Sequence, residues 1–494
     1  MEGDVMTIKD PFDGLEPAGL WQHFADLTKI PRVGGQEAEV REWLAHWAEK
    51  HDFSHRIDSA GNICIYVPAS EGMSGSKTIA FQSHMDMVCA VSENSSSDPW
   101  GGKIKIIRDG DWITAPESTL GADNGLGIVS AMALAENKTL VHGPLELLFT
   151  VEEETTFKGA LELDPSLISA KVMLNLDGVD MEVIIASAGG IESIICWPVP
   201  SQLLPEGWKT YEISLTGLRG GHSGGDIHLN CLNGIKGIVW LIQKIAGKMS
   251  FRLCGLTGGD ASNAIPLHAQ TIIAFPPDEV PNFEQTLSSA VSGLTSQFSY
   301  TDPDLTVSIT SLDNQDIKCW SDELANHLID LLSAIPSGVI AMEQKSPHLV
   351  ETSNNIGFIK VKEEKLEIVC LSRSSVRDAQ DQVEASLKSA ARLAGAEFRL
   401  DTDKIPPWSI PSDSPLPTIA QTTYLEMFQR ELPLVSVHGG LECGTIQEHI
   451  PGLDIISLGP VIQNCHKPGE RVNIPSVSEF YDYLCELVRR LSVK

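Results

Sequence analysis

Lys77-Thr78-Ile79-Ala80-Phe81-Gln82 runs straight into Ser83-His84-Met85-Asp86, and this junction between an apolar stretch and a chemically capable one decides the fold. The first six residues have the length and apolar content of a buried strand. A histidine and an aspartate follow at its carboxyl end, which is where open α/β sheets gather their ligands. His84 and Asp86 are two positions apart, so a continued strand geometry points both to one side and lets Asp86 orient the imidazole. The arrangement recurs along the chain. Residues 145–151 read as a strand running into Glu152-Glu153-Glu154, residues 171–176 as a strand running into Asp177-Gly178, and residues 454–458 as a strand followed by His466. A fifth cluster, Gly121-Ala122-Asp123-Asn124-Gly125, opens a helix predicted over 126–136. Each cluster by itself has an ordinary explanation as a strand end, turn, helix cap or solvated acidic loop. Five of them at strand and helix ends point to one site. Neutral imidazole and carboxylate oxygens suit zinc, and a carboxylate placed between two ions bridges them, as two-metal aminopeptidase sites require. Asp123 is the candidate bridge.

Outward from these junctions, strands and helices alternate. Apolar residues recur at helical spacing from Trp21 to about Lys50, residues 62–67 read as a strand, and the elements already named follow. This is the pattern of an α/β sheet with helices on its faces. Near Ala188-Gly189-Gly190 the pattern changes. The next two hundred or so residues mix polar strands (211–216) with helices (232–245), as an α+β domain does. That domain ends in the proline-rich stretch 405–417, whose prolines lack amide donors and resist regular structure. Beyond it a helix (418–430), the strand 454–458 and a final helix (477–491) are again α/β in character. The expectation is a discontinuous catalytic domain, 1–190 with 406–494, and an inserted domain, 191–405. No internal repeat is visible, and the only low-complexity run is Asn94-Ser95-Ser96-Ser97.

Composition narrows the function classes. The 494 residues are 42% hydrophobic and 21% charged, enough for a sizeable core. No stretch approaches the roughly 18 uninterrupted apolar residues of a membrane span. The net charge of −30 repels phosphate backbones and anionic membranes, so neither nucleic acid nor membrane is expected as a partner. The acidic start Met1-Glu2-Gly3-Asp4 is unlike a secretory signal, and ten cysteines without a CxxC pair fit a reducing compartment. The cytoplasm is the expected location.

Longer motifs carry a resemblance. Ser83-His84-Met85-Asp86-Met87-Val88, Leu120-Gly121-Ala122-Asp123-Asn124-Gly125, Thr150-Val151-Glu152-Glu153-Glu154, Asn175-Leu176-Asp177-Gly178 and Gly220-Gly221-His222-Ser223-Gly224-Gly225 occur in that order. They are followed by Asn263-Ala264-Ile265-Pro266, Glu351-Thr352-Ser353-Asn354, His438-Gly439-Gly440-Leu441-Glu442-Cys443-Gly444 and His466-Lys467-Pro468. Together they resemble, over nearly the whole chain, the co-catalytic zinc peptidases, in particular their aminoacyl-histidine (Xaa-His) dipeptidase branch. The resemblance implies a zinc-aminopeptidase-like mixed sheet flanked by helices, with an inserted α+β lid. It implies two zinc ions per subunit, with manganese or cobalt as substitutes: one held by His84 and Asp177, the other by Glu154 and His466, with Asp123 bridging. Glu153 becomes the general base, with Glu152 weighed as the alternative, and Asp86 the partner of His84.

In the lid, the resemblance makes His222 the donor that stabilises the tetrahedral oxyanion, supplied in related dimers by the partner subunit. Asn263 and Arg373 would hold the substrate's carbonyl and terminal carboxylate. His438 and Glu442, in the motif of the returning catalytic segment, are read as supporting the ligands or contacting substrate, and Cys443 as packing. Two departures stand out. The family has arginines where this chain has Ser262 and Leu267, and a glycine where Thr155-Thr156 follows the glutamates. The expected activity is hydrolysis of unblocked dipeptides, Xaa-His or broader, by a protein that forms a homodimer through its lid. An N-acyl amino acid deacylase or carboxypeptidase on the same framework is the alternative chemistry, and a catalytically idle binding or assembly module the alternative class.

Overall fold

The computed structural model describes residues 10–312, 317–344, 348–362, 364–401 and 404–493. Two compact units emerge. The first takes the chain up to Ala186, Trp408–Ser436 and the chain from Leu441; the second takes Ser187–Pro407 together with Val437–Gly440.

At the centre of the first unit, strand Ile79–His84 is buried along its whole length. It lies parallel to Leu145–Thr150 on one side and Val172–Asn175 on the other, and Asp454–Ser457 extends the parallel set beyond Val172–Asn175. Burial on both faces accounts for the continuous apolar runs seen in the sequence. The periphery is antiparallel: Ile63–Val67 pairs Leu145–Thr150 and in turn Ser54–Ile57. The sheet is therefore mixed. Because the four central strands point one way, His84, Thr150, Asn175 and Ser457 end at the same edge, and the polar segments after them leave the sheet together.

Helix Ala122–Glu136 is apolar on nearly every side and buried accordingly. The C-terminal helix Ile474–Ser492 is amphipathic, with Asn473 accepting from the Ser476 amide as its cap. The helical periodicity from Trp21 to Lys50 resolves into two helices, Ala18–Leu27 and Ala38–Lys50. Pro31 and Gly34-Gly35 interrupt it, with Gly35 at a φ of +83° that other residues rarely adopt.

The second unit is built on an antiparallel sheet. Strands Thr306–Leu312, Lys209–Thr216, Ala269–Phe275, Arg252–Gly258, Val350–Lys362, Lys365–Ser374, Gly189–Pro198 and Glu397–Leu400 lie in that order, with Gly338–Met342 beside Val350–Lys362. Helices Gly234–Ala246, Val280–Gln297, Asp322–Ala334 and Arg377–Leu393 share one apolar core with it. This is the α+β character expected of the inserted segment.

Candidate metal centre and substrate-binding residues

His84 is the last residue of its strand and 1% exposed. Its Nδ1 lies 3.3 Å from Asp86 Oδ1, which leaves Nε2 to face 3.2 Å towards Asp123 Oδ1 and 3.4 Å towards Asp177 Oδ1. His466 Nε2 lies 3.3 Å from the other Asp123 oxygen, Oδ2, and 3.1 Å from Glu154 Oε1. Asp123 thus presents one oxygen to each imidazole, with a further carboxylate beside each. All five residues singled out from the sequence converge in this way, and the Asp123–Asn124 peptide is cis. Asp86 also accepts the Glu153 and Glu154 amides at 3.0 Å each. One buried carboxylate therefore orients His84 and anchors the acidic loop.

The electrostatics call for cations. Burial alone lowers the His84 imidazole, but Asp177, Asp123 and Asp86 outweigh it and hold the pKa well above 6.5. His466 is likewise lowered by burial and then pushed up to about 11 by Asp123 and Glu154. Burial and the Asp123 charge raise Glu154. Burial also raises Asp177, with Asp123 adding to it against the pull of His84. Asp123, like Asp86, is lowered, because hydrogen bonds to the two histidines overcome its burial. Crowded carboxylates raise one another's pKa when no cation separates them. His84, Asp123 and Glu154 each offer a donor atom within 4.8 Å of the others. Oxygen and imidazole donors, inward-facing and short of positive charge, fit divalent metal ions.

The run of three glutamates resolves by direction. Glu152 has φ +53° and turns to Lys158 Nζ at 3.2 Å and Thr156 Oγ1 at 3.1 Å. Glu153 is 9% exposed, 3.9 Å from His84 Nε2, and held well above the ordinary carboxylate range by burial and by the charges of Glu154, Asp177 and Glu442. Of the two, Glu153 is the one beside the cluster of imidazoles and carboxylates.

Glu442 lies among buried polar groups. It is 1% exposed and accepts from Gln82 Nε2 at 2.6 Å and Thr150 Oγ1 at 2.7 Å, beneath the site. Burial first, then the charges of Asp177 and Asp86, push it up to about 8. A carboxyl whose pKa is raised on folding stabilises the folded state fully below its unfolded pKa, and that contribution is lost as pH rises through the folded value. The metal-free protein should therefore lose thermal stability relative to Glu442→Gln between about pH 4.5 and pH 8. Parallel melting curves across that range, in chelator, check it.

Within the second unit, His222 Nδ1 accepts from the Gly224 and Gly225 amides at 3.2 Å each, and Asp226 Oδ2 accepts from the His222 amide at 2.8 Å. An accepting Nδ1 places the proton of the neutral ring on Nε2, so the ring is a donor at its far nitrogen. Asn263 is exposed, and its carbonyl accepts from the Ser223 amide at 2.7 Å, joining the two glycine-flanked motifs. Arg373 is 8% exposed, and its Nε lies 3.4 Å from Ser223 Oγ. Burial takes its pKa down to about 10, with no carboxylate among the described residues opposing the shift. His438, which the sequence places with the returning catalytic segment, clusters with this unit instead. Its Nε2 is 2.7 Å from Ser353 Oγ, and burial followed by the Arg373 charge takes it down to about 4.

The sequence reading missed the residues that hold the ligand loops from behind. Arg32 Nη1 donates to the Met85 and Asp86 carbonyls at 3.0 and 2.7 Å, and Nη2 donates to the Gly121 carbonyl. Glu37 Oε1 accepts the Gly35 and Glu152 amides. Glu470 accepts from the loop before Asp123. Only Glu470 carried a positional hint, four residues after His466.

The sequence pattern of Peptidase family M20/M25/M40 matches residues 80–490. The chain belongs to this family. It is 33% identical over 481 residues to the cytosol non-specific dipeptidase of Escherichia coli, covering 97% of this chain and 99% of that one. The aminoacylhistidine dipeptidase of Vibrio alginolyticus superposes with a TM-score of 0.82 at 32% identity, over 98% of this chain and 99% of its own. A tripeptidase from Staphylococcus aureus shares the M20-type fold at 14% identity and a TM-score of 0.59, over 97% and 99% of the two chains. Membership of this peptidase family agrees with the mixed sheet and inserted α+β unit expected from the motifs.

Proposed function

We propose that this chain is a metallo-dipeptidase that hydrolyses unblocked dipeptides, Xaa-His or broader, with Glu153 as general base. The observation that carries the reading is Asp123 with an imidazole on each oxygen and Glu153 alongside. His84, Asp177, Glu154 and His466, with Asp123 shared, would hold two divalent ions, zinc in the first instance. When bound, such ions supply Lewis-acid polarisation and a water that ionises near neutral pH. Asp86 fixes His84 with Nε2 inward. The Glu153 carboxylate takes the proton of the attacking water and passes it to the leaving amine. The second unit supplies the Nε2–H of His222 as a donor for developing negative charge and Asn263 as a contact for the substrate's carbonyl.

Arg373 speaks for a free terminal carboxylate. A buried guanidinium whose charge no carboxylate among the described residues offsets is unfavourable until an anion pairs with it, and its planar fork matches a carboxylate bidentately. Arg373→Met should lower kcat/KM on dipeptides by about 100-fold, mostly through KM, while leaving turnover of the corresponding dipeptide amides nearly unchanged. The wider test is a panel of free dipeptides, N-acyl amino acids and longer peptides with product analysis. Cleavage of acylated amino acids but not of free dipeptides overturns the dipeptidase reading in favour of a deacylase. A cytoplasmic setting suits its ten free cysteines, and assembly as a homodimer through the second unit completes the reading.

A further inference from the structure

Glu470 is a fully buried acid, 1% exposed, for which the hydrolytic reading has no use. Its carboxylate accepts four consecutive backbone amides. Leu120 and Gly121 donate to Oε2 at 2.7 and 3.0 Å, Ala122 and Asp123 to Oε1 at 2.7 and 3.3 Å. These amides lie in the turn that leads into helix Ala122–Glu136, whose backbone is still non-helical at Asp123 and Asn124, and the Gly121 position offers no side chain to cap them. The acid that serves them comes from 347 residues further along the chain.

The segment bearing Glu470 is itself tied down. Its carbonyl accepts from the Ala115 amide at 3.1 Å and Thr114 Oγ1 at 3.0 Å, the Gly469 amide donates to the Ala115 carbonyl at 3.0 Å, and Arg471–Asn473 pairs antiparallel with Trp112–Thr114. Four residues earlier stands His466. Arg32, which feels the Glu470 charge, donates to the Gly121 carbonyl of the same loop. Gly121 adopts φ +72°, and a side chain there would meet the Arg32 guanidinium and lie 2.8 Å from Met87 Sδ. The Asp123 loop is therefore held through its amides by Glu470 and through the Gly121 carbonyl by Arg32.

We propose that Glu470 is a positioning residue for the dinuclear centre, fixing Asp123 relative to His466 so that Asp123 can bridge. The inference rests on the reading of Asp123 and His466 as metal ligands. A carboxylate is required because four N–H donors call for about four lone pairs, which a carboxylate has and an amide has not. In Glu470→Gln, half of the acceptor is replaced by an NH2 group facing two amide donors, and the loop turns away from the His466 side.

The test uses the full-length protein, with zinc and cobalt as probes. Zinc affinity is measured by chelator competition on the folded, monodisperse fraction, together with the cobalt absorption spectrum, kcat and KM. In Glu470→Gln at least one ion should bind about 10–100-fold more weakly. The cobalt spectrum should change, and kcat should fall with little change in KM. Glu470→Asp keeps the charge but ends one methylene short of the four amides, so it loses affinity by a smaller factor and carries the test where the glutamine variant does not fold. Parent-like affinity and cobalt spectrum in either folded variant overturn the proposal. Asp123→Asn measured alongside separates the two levels. If it too binds metal like the parent, the ligand assignment falls and the positioning role with it; if only the Glu470 variants are parent-like, the positioning role alone falls.

Discussion

Glu153→Gln should lower kcat on a dipeptide by about 10²–10⁴-fold, the usual contribution of a positioned general base. It should leave the metal content unchanged and KM close to that of the parent protein. The substitution preserves shape and burial. The backbone of residue 153 remains anchored, because the bond to Asp86 Oδ1 is made by its amide. Only the capacity to accept a proton is removed, and the described carboxylates around it are engaged elsewhere: Asp123, Asp177 and Glu154 face the imidazoles, Glu152 is turned to Lys158, and Glu442 accepts from Gln82 and Thr150. Glu152→Gln is the control and should change kcat by no more than a few-fold. Metal analysis and steady-state kinetics on the two variants settle the matter. A parent-like kcat in Glu153→Gln would remove it from the base role, and a parallel collapse in Glu152→Gln would return that role to its neighbour.

Stripping the protein with a chelator should reduce dipeptide turnover to background and lower its melting temperature, and adding back zinc, manganese or cobalt should restore both. The stability effect follows from binding to the folded chain alone, which contributes RT ln(1 + [L]/Kd). The pH dependence has a definite sign. In the metal-free protein the surrounding carboxylates hold His84 well above 6.5 and His466 at about 11, so both rings carry a proton at pH 7. Metal binding must displace those protons, and apparent affinity therefore rises with pH. Calorimetric titration of zinc in buffers of different ionisation enthalpy should register the release of about two protons per filled site pair at pH 7. Zinc binding without proton release would mean that the imidazoles are not the ligands, and turnover that survives exhaustive chelation would mean that the reaction does not need the ions.

How much of this was legible beforehand varies residue by residue. His84 and Asp86 could be paired from two-residue spacing at the end of a strand, since strand side chains alternate and the pairing needs only local geometry. The segments after residues 84, 150, 175 and 457 could be gathered at one edge because central strands of an α/β sheet run parallel. Local pattern failed where a long-range partner decides. The stretch from Trp21 to Lys50 has continuous helical periodicity, yet it breaks at Pro31 and Gly34-Gly35, and the break carries Arg32 and Glu37 to the ligand loops. His438 and Glu442 are four positions apart in one motif, yet one belongs with the second unit and the other lies beneath the metal cluster.

Residue chemistry and its position at strand ends belong to the sequence: imidazoles and carboxylates placed where a parallel sheet must deliver them, and hence a metal-dependent peptidase framework. Hydrophobic periodicity and turn residues encode that much, because they act over a few positions. The tertiary structure decided which oxygen of Asp123 faces which histidine, that Glu153 rather than Glu152 turns inward, and that Glu470 holds the amides of the turn at Asp123, 347 residues before it. These choices depend on hydrogen bonds and burial between segments remote in the chain, and the direction a side chain takes is fixed only when its distant partners are in place.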